Sequence, residues 1–418
     1  MTQFDPSQPE DFLNTLMRAA ISAADPMKMV PPFLPARPKG RTVVVGAGKA
    51  SAMMAKAVED CWGEEISGLI ITRYGFNVPC RHIKIIEAGH PVPDVAGEKA
   101  ASSILDISKG LGPDDLCLAL MSGGASALLI QPAPEISLSD KQEVNRMLLR
   151  SGANITEINT VRKHLSAIKG GRLAQAIAPA KLVTLMISDV PGDDPGVIGS
   201  GPTIPDPTTF ADALAVINKY QINPPQKVQS LLESGLDETP KPDDQAFINT
   251  EQFIIARPQF SLDAAAEVAR QAGIEVIMMS DCLEGEAREV ARTHASMART
   301  TDGPKLFLSG GELTVTINGN GRGGPNTEYA LALAIALNGD HRIHAMAIDT
   351  DGIDGSEDNA GAWIKPDTLV RANAAGLNAD HFLSENDSYG FFSGIGDLIV
   401  TGPTFTNVND FRAVLVLS

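Results

Sequence analysis

The 418-residue chain is poor in aromatic side chains, at 5%, and holds four cysteines. Cys61, Cys80, Cys117 and Cys282 are scattered with no CxxC pair. A disulfide framework and a zinc ribbon are therefore not expected, and the four read as buried free thiols of a reducing compartment. Positive charge is scarce as well: 34 Lys and Arg stand against 51 Asp and Glu, a net charge of −17. Nucleic-acid binding relies on cations that neutralise phosphates, so that class is excluded, and an anionic membrane surface is disfavoured on the same ground. No apolar run approaches the ~18 residues that a membrane span requires. The opening stretch MTQFDPSQPEDFLNTLMRAA is acidic and lacks a charged-then-apolar leader pattern, so a cytoplasmic protein is expected. No GxSxG elbow and no HExxH occurs, and the seven histidines form no metal cluster.

Glycine (38) and proline (28) are plentiful, and hydrophobic residues make up 43% of the chain. That composition suits two or three globular domains rich in strand-to-helix turns. The chain repeats one pattern of apolar run, glycine turn and helix. RTVVVG (41–46), SGLIIT (67–72), HIKIIEAG (82–89), DLCLALMSGG (115–124) and KLVTLMISDV (181–190) read as buried strands. With helices between them, such runs predict a parallel sheet covered on both faces. The Pro/Asp-rich stretch ETPKPDDQ is the candidate linker, and the alternation resumes beyond it with FIIA, IEVIMM, KLFLSGG, ELTVTI, HAMAIDTDG and DLIVTG. The expected architecture is α/β: a Rossmann-like, largely parallel domain over residues 1–240 and a second, smaller α/β domain over 241–418.

Ligands of open α/β sheets sit at the carboxyl ends of strands. The first such end, VVVGAGKAS, carries Gly46, Gly48 and Lys49. It matches neither GxGxxG nor GxxxxGK[ST], yet a glycine turn, a helix N-terminus and a lysine together suit an anion. MSGGASALL supplies Ser122, Gly123 and Gly124, and LSGGELTV supplies Ser309, Gly310, Gly311 and Glu312. Each reads either as an amide-donor turn or as close helix–strand packing. ISDVPGDDPG places Asp189, Asp193 and Asp194 in one loop, and IDTDGIDGSEDNA places Asp349, Asp351 and Asp354 in another. Paired carboxylates suit Mg²⁺, which keeps phosphate oxygens among its ligands; turn capping is the alternative. NGNGRGGPNTE sets Arg322 in a mobile glycine loop ahead of Asn326, where a guanidinium can clamp phosphate or carboxylate. In INTVRKHLSAIKGGRLA, Arg162, Lys169 and Arg172 fall within roughly 80° of one helical face, a substrate-carboxylate face or a solvated stripe. His90, in AGHPVPD, follows a strand and either touches ligand or packs a turn.

Together, VVGAGKAS, GHPVPD, LMSGGASALL, TVRKHLSAIKGGRLA, ISDVPGDDPGVIGSGPT, LSGGE, GRGGPNTE, DTDGIDG and TGPTFTNVND resemble the glycerate 2-kinase family, whose C-terminal part is the MOFRL domain. The resemblance runs from about residue 41 to 410. It implies ATP-dependent phosphorylation of D-glycerate, with 2-phosphoglycerate favoured, a need for Mg²⁺, and an active site in the cleft between the two α/β domains. On that reading Lys49 neutralises phosphate charge and Arg322 assists in the transition state. Asp189, with Asp193 or Asp351, holds Mg²⁺ or orients the glycerate hydroxyl. Gly46, Gly48, the two Ser-Gly-Gly turns, Glu312 and Asn326 face ATP, and Arg162, Lys169 and His90 face glycerate. One departure is Pro325 and Thr327, where many members carry Arg and Gln, which leaves Arg322 as the arginine of that loop. Relatives with the proline variant are labelled hydroxypyruvate reductase, so an NAD(P)H-dependent reductase is the competing expectation. Its dinucleotide signature is incomplete, because Ser51 replaces the third glycine and Thr72 and Arg73 replace the ribose-binding acid. A non-catalytic metabolite sensor is the third reading, and a homodimer is left open.

Overall fold

The computed structural model describes residue 5 and residues 7–418. The leader reading of the first residues therefore lies partly outside it. The chain divides into two compact units, Pro26–Ile255 and a C-terminal unit in which Ala256–Ser418 is joined by the first 25 residues.

The chain opens with α1 (Pro9–Ala23), which belongs to the C-terminal unit. The Rossmann-like unit follows with α2 (Pro26–Met29), β1 (Thr42–Ala47), α3 (Ser51–Trp62), β2 (Ile66–Arg73), β3 (Ile83–Ala88) and α4 (Val95–Ser108). It continues through β4 (Leu116–Met121), α5 (Ala125–Leu128), α6 (Leu138–Ser151), α7 (Ile155–His164), α8 (Arg172–Ile177) and β5 (Lys181–Ile187). It closes with α9 (Phe210–Lys219), α10 (Gln226–Ser234) and β6 (Thr250–Ala256). The strand order is β3-β2-β1-β4-β5-β6. The β2–β3, β1–β2, β1–β4 and β4–β5 pairs are parallel. Every residue of β1 and β4 is buried, which is why both read as near-continuous apolar runs. Strand order reverses between β1 and β4, the position where doubly wound sheets open a crevice for ligand.

Capping boxes start two of the helices beside that crevice. The Ser137 hydroxyl accepts from Asp140 N–H while the Asp140 carboxylate accepts from Ser137 N–H, ahead of α6. Asn154 and Glu157 repeat the arrangement ahead of α7. Val144 and Leu148 of α6 pack with Ile158, Val161, Phe210 and Val228 in a satellite core under α9 and α10. The expected linker ETPKPDDQ lies inside this unit and is bonded to it. The Glu238 carboxylate accepts from Phe210 N–H at 3.0 Å, and Thr239 Oγ1 donates to Asp206 at 3.2 Å. The unit thus extends beyond residue 240 to β6, the sixth strand of its sheet.

The C-terminal unit contains α11 (Pro258–Gln271), β7 (Glu275–Ser280), β8 (Gly285–Glu286), α12 (Ala287–Arg299), β9 (Lys305–Ser309), β10 (Leu313–Thr314) and α13 (Pro325–Leu337). Then come β11 (Ile343–Asp349), β12 (Gly361–Ile364), α14 (Thr368–Ala374), α15 (Ala379–Ser384), α16 (Ser388–Ile395), β13 (Leu398–Ile399) and β14 (Asp410–Val416). Its sheet is mixed, in the order β13-β12-β11-β14-β9-β7, with β7–β9 parallel and β14 antiparallel to both β9 and β11. The expected strand ELTVTI shortens to the two residues of β10. Helix α13 is apolar nearly all round and accordingly buried among α12, β11, β12 and the short helices α15 and α16. Leu13, Leu16 and Ala20 of α1 share a core with Leu262, Ala265 and Ala269 of α11, which explains why the first residues join this unit.

Cys117 is buried as expected, but Cys61 and Cys282 are exposed and Cys80 is half-buried, so the picture of four buried thiols holds for one. No helix among the described residues is long and apolar enough to cross a membrane.

Candidate active site

The glycine turns after β1 and β4 are bonded to each other at the reversal point of the first sheet. Lys49 N–H donates to Gly123 O at 2.8 Å, and Ser122 N–H donates to Ala47 O at 3.2 Å. Ser122 Oγ accepts from Ala50 N–H at 3.0 Å and lies 3.1 Å from Ser51 Oγ. Ser122 is wholly buried, so both its amide and its hydroxyl staple one turn to the other instead of facing a ligand. Gly46 sits within β1, in register with Leu120 of β4. Gly48 is required by packing, since a Cβ there would stand 2.1 Å from Ser122 Oγ. The glycines thus serve close approach between strands. Lys49, half-buried in the turn ahead of α3, has its backbone held by this stapled pair of turns.

Beside these turns lies a cavity of 650 Å³ lined by His90, Gly124, Ser126, Lys141, Arg162 and Lys169, among others. Gly124 is its pivot, with φ at +83°. A Cβ there would lie 3.0 Å from His90 Nε2 and 3.6 Å from Lys49 Cγ, so both side chains converge on this glycine. Gly124→Ala should cost about 1–3 kcal/mol through left-handed backbone strain alone, read by urea denaturation; an unchanged midpoint would mean the turn relaxes freely.

Three of the expected substrate residues, His90, Arg162 and Lys169, therefore meet in one cavity. The helical face that was to carry two of them does not exist. Helix α7 ends at His164, Lys169 lies in the connection to α8, and Arg172 turns away to pair with Asp237 at 2.7 Å. Arg162 Nε donates to Asn145 Oδ1 at 2.8 Å. Lys169 Nζ donates to Ser126 O at 2.8 Å and Gly199 O at 3.3 Å. The sequence reading missed Lys141, Gln142 and Asn145 of α6. Leu138, Lys141, Gln142, Asn145 and Leu149 recur at helical spacing and all line the cavity.

The expected acidic groups are placed as follows. Asp189 is half-buried just beyond β5. Asp193 occupies a tight turn with φ at +54°, and Asp194 Oδ1 caps Gly196 N–H at 2.8 Å. In the C-terminal unit, Asp351 is buried and its Oδ1 accepts from Ile353 N–H at 2.8 Å, a turn-capping role. Among the described residues no group of three or more His, Cys, Asp or Glu is arranged to hold a metal.

Ser309 ends β9, and the turn after it is held from within the unit. Gly310 N–H donates to Ser280 O at 2.8 Å and Gly310 O accepts from Arg412 at 3.1 Å. Gly311 O accepts from Asp410 N–H at 3.2 Å, while Glu312 is exposed. Asn326 is wired into two buried carboxylates. Its Nδ2 donates to Asp410 Oδ1 at 2.7 Å and its N–H to Asp354 Oδ1 at 2.9 Å, leaving its buried Oδ1 without a hydrogen-bond partner among the described residues. Asp354 also accepts from Thr327 N–H and Oγ1, at 2.8 and 2.7 Å, and so caps α13. Burial pushes the Asp354 carboxyl up to about 6. It raises Asp410 as well, against the opposing pull of Arg412. The loop of Arg322 is not the mobile segment expected. Asn386 Oδ1 accepts from Asn318 and Gly319 N–H at 2.8 and 3.0 Å, and Arg322 N–H donates to Asp387 at 3.1 Å. The Arg322 side chain reaches solvent, 3.4 Å from Glu357 and 4.8 Å over the Tyr389 ring.

Two family models match the chain: residues 12–233 match one described as "Domain of unknown function (DUF4147)", and residues 305–410 match the MOFRL family. A protein of Agrobacterium vitis named "Putative hydroxypyruvate reductase" is 53% identical, covering 97% of this chain and 94% of its own. The D-glycerate 2-kinase of Thermotoga maritima is 39% identical over 99% of this chain and all of its own. The crystal structure of glycerate kinase from that organism superposes with a TM-score of 0.88 at 38% identity, covering 98% of this chain and 100% of that one. Sequence and architecture agree over essentially the whole length, and the chain belongs to the glycerate 2-kinase family with its MOFRL domain.

Proposed function

We propose that this protein transfers the γ-phosphoryl group of ATP to the 2-hydroxyl of D-glycerate. The observation that carries this reading is the juxtaposition in the Rossmann-like unit of Lys49, on two stapled glycine turns, with a cationic cavity holding His90, Arg162 and Lys169. Phosphoryl transfer demands positioning and charge neutralisation more than covalent chemistry. Lys49 supplies a fixed positive charge for the phosphate chain, and the cavity receives the glycerate carboxylate. Arg322, whose backbone is pinned and whose guanidinium is exposed, supplies the second phosphate-directed cation.

Mg²⁺ fits this residue set as a phosphate-borne ion and not as the occupant of a protein cage. No three-carboxylate group is arranged for it among the described residues, and Asp351 and Asp194 cap turns. Asp189, half-buried beyond β5, is the carboxylate we assign to it; Mg²⁺ commonly takes only about one or two protein carboxylates beside phosphate oxygens. When bound it would draw charge from the β- and γ-phosphates. The same reading places the protein in the cytoplasm, where ATP is available.

Mixing protein, MgATP and D-glycerate should release ADP only when both substrates are present, with 2-phosphoglycerate identified by phosphorus NMR. ADP release indifferent to glycerate would sink the reading. The 53%-identical relative gives the reductase reading its footing. Against it, Thr72 is buried at the end of β2, the Arg73 guanidinium lies 4.9 Å over the Phe76 ring, and Ser51, at the third glycine position, donates to Leu120 O at 3.0 Å. Loss of NADPH absorbance on adding hydroxypyruvate would decide for the reductase.

A further inference from the structure

The cavity beside Gly124 holds more cationic chemistry than the expected residues account for. Its lining includes Lys141, Arg146, Arg162 and Lys169 together with His90, and no Asp or Glu. On a chain of net charge −17, an acid-free cavity with this many cations is built for a purpose. Lys141 and Lys169 are 8% and 2% exposed. Lys141 Nζ donates to Leu165 O at 2.8 Å, and Lys169 Nζ donates to two further carbonyls. Carbonyl oxygens orient the amines but carry no counter-charge, so no carboxylate among these contacts competes with an incoming anion. The lining also has an apolar wall of Val92 and Ile130, continued by Leu138 and Leu149 on the same helix as Lys141. Gln142 Nε2 donates to Pro93 O at 2.8 Å and ties the loop after β3 to α6.

We propose that Lys141, Lys169 and Arg162 form a single anion-holding floor, and that Lys141 is a specificity-determining residue that selects the anionic end of a small organic acid. The occupant is a carboxylate, or a phosphate of similar size, carried on a short carbon chain that lies along the apolar wall. Its identification with the glycerate carboxylate rests on the phosphotransfer reading above; the anion site itself does not. The titratable and charged groups that line the cavity with Lys141 are Arg162 from α7, Lys169 from the connection before α8, His90 from the loop after β3 and Arg146 on its own helix. All are cationic or able to become so. Burial first, and then Arg162, push the Lys141 ammonium down to about 7. Burial first, and then Lys141 and Arg162, lower Lys169 well below its ordinary value. An arriving anion reverses that balance, because an opposite charge at short range favours the ammonium. Anion binding is thus coupled to proton uptake.

The test is titration calorimetry of the full chain with D-glycerate, and separately with inorganic phosphate, in two slightly alkaline buffers of different ionisation enthalpy. The wild-type protein should take up protons on binding. Lys141→Met should weaken binding roughly 10- to 100-fold, the scale of a lost charge-assisted hydrogen bond, and reduce the uptake. Lys141→Arg should keep most of the affinity but reduce the uptake, because arginine stays charged throughout. A merely structural lysine would not separate affinity from proton uptake in this way. Unchanged affinity in Lys141→Met, or unchanged uptake in Lys141→Arg, would overturn the proposal. If Lys141→Met does not fold, the arginine variant still decides. Phosphate binding that depends on Lys141, in a protein without glycerate-dependent ADP release, would keep the anion site and discard the kinase reading. Glycerate turnover unaffected by Lys141→Met would do the reverse.

Discussion

Lys49→Met is expected to lower kcat for glycerate-dependent ADP release by roughly 10²–10³-fold, the loss typical of one preorganised group aimed at transition-state charge. The KM for glycerate should move little, because the carboxylate-facing cations lie in the adjoining cavity. The fold should tolerate the change. It is the Lys49 backbone that bonds Gly123, and the staple through Ser122 uses the amide of Ala50 and the hydroxyl of Ser51. Stability should therefore change by less than about 1 kcal/mol, within the range of substitutions away from a core. A variant with full kcat removes the lysine from catalysis. A variant with lost kcat and a collapsed melting profile would show a structural lysine instead. Lys49→Arg adds a finer reading: guanidinium and ammonium present charge in different shapes, so partial recovery is expected.

That Lys49 sits in a turn after a wholly apolar strand was legible in the sequence, from the apolar run and the glycines that end it. The reason for the glycines was not. Gly48 is forced by the nearness of Ser122, which belongs to a strand far away in sequence, and no local pattern reports that contact. Ser122 illustrates the same limit from the other side. A serine in a Ser-Gly-Gly turn suggests a ligand, but complete burial turns its hydroxyl inward. The cations of the cavity were found for a partly mistaken reason. Arg162 and Lys169 do converge, but through a helix end and a turn, not through one continuous helical face. Helix α6 escaped notice because its cavity face mixes Leu138, Lys141, Gln142, Asn145 and Leu149, a pattern neither apolar nor polar. The membership of α1 in the C-terminal unit is decided by packing on α11, a partner more than two hundred residues later, which periodicity alone does not reveal.

The largest effect on stability is expected at Arg412. Its side chain is 1% exposed, and it donates to the carboxylate of Asp410, itself 6% exposed, and to Gly310 O at 3.1 Å. The guanidinium also lies 5.5 Å from the Tyr329 ring centroid. Removing one partner of a buried ion pair leaves the other charge without compensation, and Arg412→Met should cost about 3–5 kcal/mol. Two consequences separate this cause from simple loss of packing. First, Asp410→Asn combined with Arg412→Met should cost less than the sum of the single changes, because the neutral amide no longer needs the guanidinium. Second, the deficit should depend on pH. Burial already raises Asp410, and without Arg412 the folded-state value rises further above that of the unfolded chain. A group raised in the folded state binds its proton more tightly there, so folded-state stability falls as pH rises from the unfolded value through the folded one. The variant should therefore recover part of its loss in mildly acidic buffer, relative to the parent, and show its full deficit at neutral pH. Urea denaturation of both proteins at the two conditions measures this. A deficit equal at both would assign the loss to packing against Tyr329 and remove the charge argument, whereas a deficit that shrinks with acid places the Asp410–Arg412 pair at the centre of the network that holds Asn326 and the turn after β9.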